Sequence, residues 1–577
     1  MVLAYKNIIF ENNNLEKKFK SLDFKIAVLS NTVTFQLNSI LEHQLRRKNI
    51  PALVKSGTYN NILQDSKNLK KNNAVVIFWD LSDFFDGLNY NIENLSEKNI
   101  ADVKNKILLQ IDYVFEQLKK TSLVIFNKFS SSLFSSSAIE NSEFSKLAEE
   151  LNNYILKKNY PNIKFVDIDK IFLKIGLEKS FNYNQYYLSK VLYTADFFKC
   201  YAEEISPLLL SLSGNSKKAI IFDCDNTLWK GIVSEDGFNK IEMSKHSFAG
   251  KVYNEIQSMA VKLSEKGIFV CLCSKNNIDD IENVFTKHKD IVLKKKHLSI
   301  IKCNWNNKVS NIIEIAKELN IGLDSLVFVD DSDFEIGFVN KELKDVTTIK
   351  VPKKIEHYPN LLRENLKLFY NLSKTKEDKN KLRYIKQQKN REVEKKKYKN
   401  IDNYLNSLEI KIKTLINDKN NCERFSQMSQ KTNQFNLTTL RYTQNDIINF
   451  IKSKKHDIIA INVSDTFGDN GITGLCIIKY ISSSLRDAEI LNFLMSCRII
   501  GRKIEFHFMD QIIDFLKRKK IINIKAKFIR TKKNDIVSNF FEQCGFELVS
   551  TSEKSKQYVL KIKNYKKLNK INIKIKK

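Results

Sequence analysis

At residues 223–229 the chain reads DCDNTLW, directly after the apolar run AIIF. Two carboxylates two positions apart, where a strand gives way to a loop, can face one site. A phosphoryl-transfer centre needs an anionic nucleophile, an acid beside it and a divalent cation to neutralise phosphate charge. Asp223 and Asp225 supply the first two and can share in holding the third. Mg2+ takes hard oxygen ligands and keeps some of its waters, so a few carboxylates suffice. Three further groups follow in chain order. Ser274 ends the run CLCS and can hydrogen-bond a phosphoryl oxygen, and Lys308 opens an amphipathic stretch where it can neutralise charge on the transferring group. Asp330 and Asp331 close the run SLVFVDD and can complete the metal set. Taken singly, a strand-end Asp is usually a turn residue, a Ser a cap and a Lys a solvated side chain. Their order, each at a strand end or helix start, points to one site.

Such groups converge only if parallel strands carry them to one edge. AIIFDCD (219–225), IFVCLCS (268–274) and SLVFVDD (325–331) read as buried strands. Helix-like stretches at about 248–266 and at 308–320 separate them, and ligands in such sheets bind beyond the carboxyl ends of the strands. Upstream, the runs at 24–30, 74–80, 122–128 and 163–169 alternate with amphipathic segments, which reads as another parallel α/β layer. LSGNSKK at 212–218 is a linker. The Lys-rich stretch 371–400 reads as a solvent-exposed helical connector, and 401–563 as an α+β unit with strands at 457–464 and 474–481. The basic tail 564–577 is expected to fray.

A length of 577 residues calls for three or four domains, and 42% hydrophobic residues are enough for real cores. The net charge of +30 comes from Lys spread along the whole chain, so it reads as a solvated surface rather than a nucleic-acid patch. The nine Cys form no paired CxxC spacing, no apolar run reaches the roughly 18 residues of a bilayer span, and no secretory leader is evident. A reduced cytoplasmic protein without a membrane span is the expectation.

DxDNT followed by Ser, Lys and DD resembles the haloacid-dehalogenase superfamily. FDCDNTLWKGIVSEDG at 222–237 is similar to its FkbH-like branch, the subfamily IIIC phosphatases. The resemblance implies that Asp223 carries the phosphoryl group and that Asp225 is the acid and base, with its backbone carbonyl on Mg2+. It implies that Thr227, Ser274 and Lys308 contact phosphate and that Asp330 and Asp331 complete the metal site. NWNNKVSNI at 304–312 fits the family's Asn-Trp-x-x-Lys pattern, whereas WKG at 229–231 departs from its usual Trp-Gly-Gly.

The later strings KTNQFNLTT, FGDNGITG and SCRIIGR resemble the second half of FkbH-like proteins, which is similar to GNAT-type acyltransferases. From the residues alone, the polar stretch 424–443 is a binding loop or an exposed helix, and Cys497 beside two Arg is a candidate nucleophile or a structural thiol. The resemblance implies acyl-donor or carrier contacts near Asn433, Asn436, Arg498, Gly501, Arg502 and Asn534, and an acyl-carrying thiol at Cys497 or Cys224. Lys503 stands where the pyrophosphate loop pattern has a small residue. Residues 24–212 resemble an SGNH-hydrolase-like domain, with Ser30 after the first strand. None of the seven His lies between residues 44 and 245, so no triad forms there and Ser30 reads as a helix cap.

The expected architecture is therefore multi-domain α/β: an extension (1–23), a flavodoxin-like or SGNH-like sheet (24–212), a HAD-like Rossmannoid core (213–370), the connector (371–400), a GNAT-like α+β domain (401–563) and the tail (564–577). Some FkbH-like proteins move glyceryl from 1,3-bisphosphoglycerate to an acyl carrier protein, which is the first functional expectation. The second is a phosphatase for a small phosphorylated metabolite of surface-polysaccharide or secondary metabolism. A third, a nucleic-acid-binding protein with vestigial carboxylates, is opposed by the intact acidic set and by the lack of a basic stripe with interleaved aromatics.

Overall fold

The computed structural model describes every residue except 1–3, 70–71, 86, 134–141, 159, 372–380, 482–485, 532–533, 569–572 and 577. The chain forms two compact units. One holds residues up to Ser213 together with Tyr442–Asn449, and the other holds Gly214–Arg441 and the chain from Phe450 onward.

The first unit is built on β1 (Phe24–Ser30), β2 (Ala52–Ser56), β3 (Ala74–Phe78), β4 (Leu123–Asn127) and β5 (Ile163–Val166). All pair in parallel, in the order β2-β1-β3-β4-β5. β3 and β4 bury all five of their residues, the pattern of strands covered on both faces. The helix Glu97–Leu118 turns Ile107, Ile111, Val114, Phe115 and Leu118 inward at helical spacing, and its N-cap Ser96 accepts from the Asn99 amide. Ser30 does not cap a helix. The next helix starts at Phe35 behind Thr34, and the Ser30 hydroxyl closes a tight turn, donating to Thr32 O (2.6 Å) and accepting from Thr32 N (3.0 Å).

The second unit contains two sheets. β6 (Ala219–Phe222), β7 (Phe269–Ser274), β8 (Ile300–Cys303), β9 (Leu326–Asp330) and β10 (Thr347–Lys350) are parallel in the order β10-β9-β6-β7-β8. β8 and β10 escape the sequence pattern because each is four residues long and only partly buried. The helices Phe248–Glu265 and Lys308–Leu319 stand where their periodicity places them.

The other sheet has eight strands: β11 (Lys411–Ile416), β12 (His456–Asp465), β13 (Gly468–Tyr480), β14 (Asp487–Met495), β15 (Asn523–Ile529), β16 (Glu547–Thr551), β17 (Ser555–Lys561) and β18 (Lys574–Lys576). Their order is β16-β17-β15-β14-β13-β12-β11-β18. β14 and β15 run parallel only from Asp487–Ile490 against Asn523–Ala526. Beyond that the backbone of 435–437 bonds to both: Met495 N donates to Phe435 O (2.9 Å), Leu437 N to Phe493 O (3.1 Å) and Ile529 N to Leu437 O (2.8 Å).

Three further expectations are corrected by the structure. Within 371–400, residues 372–380 lie outside the described residues, and the helix Lys381–Lys395 is not simply solvated. Its Arg391, 2% exposed, makes a two-pronged ion pair with Asp465 (2.8 and 2.9 Å). The stretch 424–443 is neither a loop nor an exposed helix at its start, because Cys422–Lys431 is a helix that buries every residue from Arg424 to Gln430. The tail does not simply fray, since Lys574–Lys576 pairs in parallel with β11. Among the described residues, no helix is long and apolar enough to cross a membrane.

Candidate active site

β6 is wholly buried, and the Asp223 amide continues its ladder by donating to Val329 O (2.9 Å). The chain then turns sharply, with Asn226 at φ 51°, a left-handed conformation that Asn tolerates better than most side chains. Because β6 lies between β7 and β9, the ends of those strands bring Ser274 and Asp330 to either side of Asp223. Lys308 is aimed inward from the first turn of its helix, where Asn307 caps by accepting from Ser310 N (2.7 Å).

The Lys308 ammonium bridges two carboxylates, donating to Asp223 Oδ1 (2.8 Å) and Asp330 Oδ2 (2.6 Å). Asp330 Oδ1 also accepts from Ser332 N (2.9 Å). Asp223, Asp330 and Asp331 each offer an oxygen, all within 4.8 Å of one another. Three carboxylates against one ammonium leave two negative charges, which a divalent cation matches in sign, number and ligand type. Burial pushes the Asp223 carboxyl up to about 6 even though Lys308 pulls it down. Asp330 is raised by burial against Lys308, and Asp331 by burial and the charge of Asp223. Burial alone would lower Lys308, but the charges of Asp223 and Asp330 outweigh it and hold the ammonium above its ordinary value.

Asp225 stands outside that three-carboxylate group. Its Oδ1 accepts from Trp229 Nε1 (2.9 Å) and Val233 N (3.1 Å), and its Oδ2 from Asn276 Nδ2 (2.8 Å). The same Asn276 amide reaches Ser274 Oγ (3.0 Å), so it ties the two expected site residues together. Thr227 Oγ1 is buried with no hydrogen-bond partner. A buried hydroxyl left unpaired costs about 1–3 kcal/mol, and this one belongs to the turn that follows Asp223. Sequence reading missed Asn276 and the indole of Trp229. Trp229 lies inside a string already singled out and Asn276 two positions beyond Ser274, but neither residue type announces a role there.

The expected thiols and C-terminal residues are placed differently. Cys224 is fully buried in an apolar cluster with Leu228, Trp229 and Val329, and burial pushes its thiol well up. The side chain of Cys497 lies outside the described residues. Asn433 accepts from Arg441. Asn436 Nδ2 donates to Thr432 O (3.3 Å), and Asn534 Nδ2 donates to Asn436 O and Ile529 O (both 2.9 Å). Arg498 donates to Asn470 O (2.9 Å) and stacks 4.2 Å over Tyr384, and Arg502 pairs with Asp465 (2.9 Å). Gly501 at φ 81° and Lys503 at φ 57° complete that loop.

No protein-family model matches the chain, and no curated protein matches it. Among solved structures it is similar to the N-terminal part of the protein BF1531 from Bacteroides fragilis, which contains a phosphatase domain and is complexed with Mg. The identity is 24% and the TM-score 0.57, over 64% of this chain and 100% of that one. The two therefore share a fold over that stretch. Two acetyltransferases also align. One is spermidine N-acetyltransferase SpeG (N152L mutant) from Vibrio cholerae, at 13% identity over 27% of this chain and 96% of that one, with a TM-score of 0.22. The other is the ribosomal-protein-S18-alanine N-acetyltransferase from Escherichia coli, at 10% identity over 26% and 94%, with a TM-score of 0.21.

Proposed function

We propose that this protein is a Mg2+-dependent phosphoryl-transfer enzyme of the haloacid-dehalogenase type, with Asp223 as its nucleophile. The observation that carries the reading is Lys308 bridging Asp223 and Asp330, with Asp331 completing a doubly negative carboxylate set. Asp223, Asp330 and Asp331 would hold the cation, as would the backbone carbonyl of Asp225 by resemblance, and the BF1531 fragment contains Mg. Bound there, Mg2+ neutralises charge on the phosphoryl oxygens.

An oxygen of Asp223 bonds to phosphorus as the bond from phosphorus to the leaving oxygen breaks, and Asp225 gives that oxygen its proton. Asp225 then takes a proton from water, whose oxygen attacks phosphorus and restores the Asp223 carboxylate. Trp229, Val233 and Asn276 fix the direction in which Asp225 points. Lys308, Ser274 and the open hydroxyl of Thr227 bind the phosphoryl oxygens.

The resemblance extends this reading to a 1,3-bisphosphoglycerate-like donor. The pantetheine thiol of an acyl carrier protein attacks the acyl carbon and expels one phosphate, while the carboxylate centre removes the other phosphoryl group. A net charge of +30 suits steering of an acidic carrier. A second reading, a phosphatase for a small metabolite, is favoured by the burial of Cys224 and by the engagement of Arg498 and Arg502 with their own chain. Incubation with Mg2+, 1,3-bisphosphoglycerate and a pantetheinylated carrier separates the two by intact mass. A glyceryl adduct on the carrier supports the first, and phosphate release from an unmodified carrier supports the second. No turnover of any phosphorylated metabolite would overturn both.

A further inference from the structure

The chain has three tryptophans, and they are placed unequally. Trp79 and Trp229 are buried in the apolar clusters of their sheets, whereas Trp305 is 67% exposed. Single exposed apolar side chains are ordinary. Two further facts set Trp305 apart: it is fixed in position, and it stands at the rim of the carboxylate site.

Trp305 occupies the second position of the loop between β8 and the helix Lys308–Leu319, and asparagines on either side hold that loop. Asn304 and Asn311 exchange amide hydrogen bonds (3.2 and 2.9 Å), Asn304 Oδ1 accepts from Asn306 N (3.0 Å), and Asn307 caps the helix. The indole Nε1 donates to Asn277 Oδ1 (3.2 Å) in the loop after β7. That bond uses the only polar atom of the ring. What remains for another molecule is carbon surface, already held in one orientation, so little freedom is lost on contact.

The same two loops carry the groups of the carboxylate site. Asn304 N donates to Ser274 O (3.2 Å), and Lys308, three positions after Trp305, bridges Asp223 and Asp330. After β7, three consecutive side chains each reach a different neighbour. Lys275 holds Glu335 of the helix Asp333–Glu342 (2.7 Å), Asn276 holds Asp225, and Asn277 holds Trp305. Asp225 is the acid that protonates the leaving oxygen in the reaction proposed above, so the leaving group lies on the Asp225 side of the phosphorus. From Asp225, Asn276 and Asn277 lead outward to the exposed indole.

We infer that Trp305 is a specificity-determining residue of the phosphoryl-transfer site, which packs against the leaving group and favours phosphate compounds whose leaving group presents a ring face. This role rests on the phosphoryl-transfer reading and not on either donor named there. A short alkyl leaving group gains little from the indole, because it offers little surface to cover.

Phenylphosphonate and methylphosphonate test this, since their carbon–phosphorus bond is not hydrolysed and both compete with p-nitrophenyl phosphate in the Mg2+-dependent assay of the full chain. Phenylphosphonate inhibits roughly tenfold more strongly than methylphosphonate, and Trp305→Ala brings the two together by weakening phenylphosphonate. Trp305→Phe, which keeps a ring, restores part of the difference. Fluorescence gives a readout apart from turnover: with the other two tryptophans buried, acrylamide quenches mainly Trp305, and phenylphosphonate shields it where methylphosphonate does not. An inhibition ratio unchanged in Trp305→Ala, or quenching indifferent to phenylphosphonate, would overturn the assignment while leaving the phosphoryl-transfer reading in place. A parent that hydrolyses no p-nitrophenyl phosphate would overturn that reading and this role with it.

Discussion

Two parallel five-stranded sheets in this chain each end in a cluster of aspartates, and they use them in opposite ways. Behind β6, Asp223, Asp330 and Asp331 share one ammonium, and a nearby threonine hydroxyl has no partner. Behind β3, Asp80 is fully hydrogen-bonded by Ser82 and Tyr193, its backbone exchanges bonds with Asn31 (2.7 and 2.8 Å), and Ser30 is locked to Thr32. The fold gives both clusters the same location, at the carboxyl ends of parallel strands. Chemistry depends on what is left unsatisfied there. A surplus of two negative charges and an unpartnered hydroxyl suit phosphate and a metal, whereas the aspartates behind β3 are held by hydroxyls, an amide and an ammonium of their own chain.

The contrast breaks first at Asp223. Asp223→Asn lowers Mg2+-dependent turnover of p-nitrophenyl phosphate by roughly 10⁴-fold or more in steady-state assays. Turnover within tenfold of the parent would make the β6 cluster as passive as that behind β3. Lys308→Met leaves two buried carboxylates without their counter-charge and costs about 3–5 kcal/mol in urea unfolding. Stability equal to the parent's would mean that the bridge is unimportant. Thr227→Val removes a hydroxyl with no partner, so melting temperature holds or rises while turnover falls roughly 10²-fold. A joint loss of both would make Thr227 structural.

The smallest effect lies in the first unit. Burial raises the Asp83 carboxyl from 3.8 to about 6, so folding favours its protonated form. That contribution is complete below pH 3.8 and is lost as the pH rises through about 6. Asp83→Asn, which never ionises, therefore melts higher than the parent above pH 6, and the difference fades as the pH falls towards 3.8. A difference independent of pH would contradict the burial of that charge.

Much of this contrast is legible in the sequence. Asp223, Ser274, Lys308 and Asp330 each sit at the end of an apolar run or the start of an amphipathic one, so the linear pattern already implies their convergence. The absence of a histidine between residues 44 and 245 likewise argues against a triad around Ser30. What stays hidden depends on partners far away in sequence. Arg391 looks like one cation in a solvated run, yet Asp465, 74 positions on, draws it inside. Asn276 gives no sign that it joins Asp225 to Ser274. The backbone of 435–437 fills the gap between β14 and β15, a geometry that no local pattern encodes.

The central claim is that Asp223 forms a covalent phosphoenzyme. The full chain, incubated with Mg2+ and acetyl phosphate and quenched in acid, is read by intact-mass and peptide mass spectrometry. The expected result is a phosphate-mass adduct on the peptide carrying Asp223, removed by hydroxylamine and absent from Asp223→Asn. An adduct that persists in that variant, or phosphate release by the parent with no adduct at any time of quench, would contradict it.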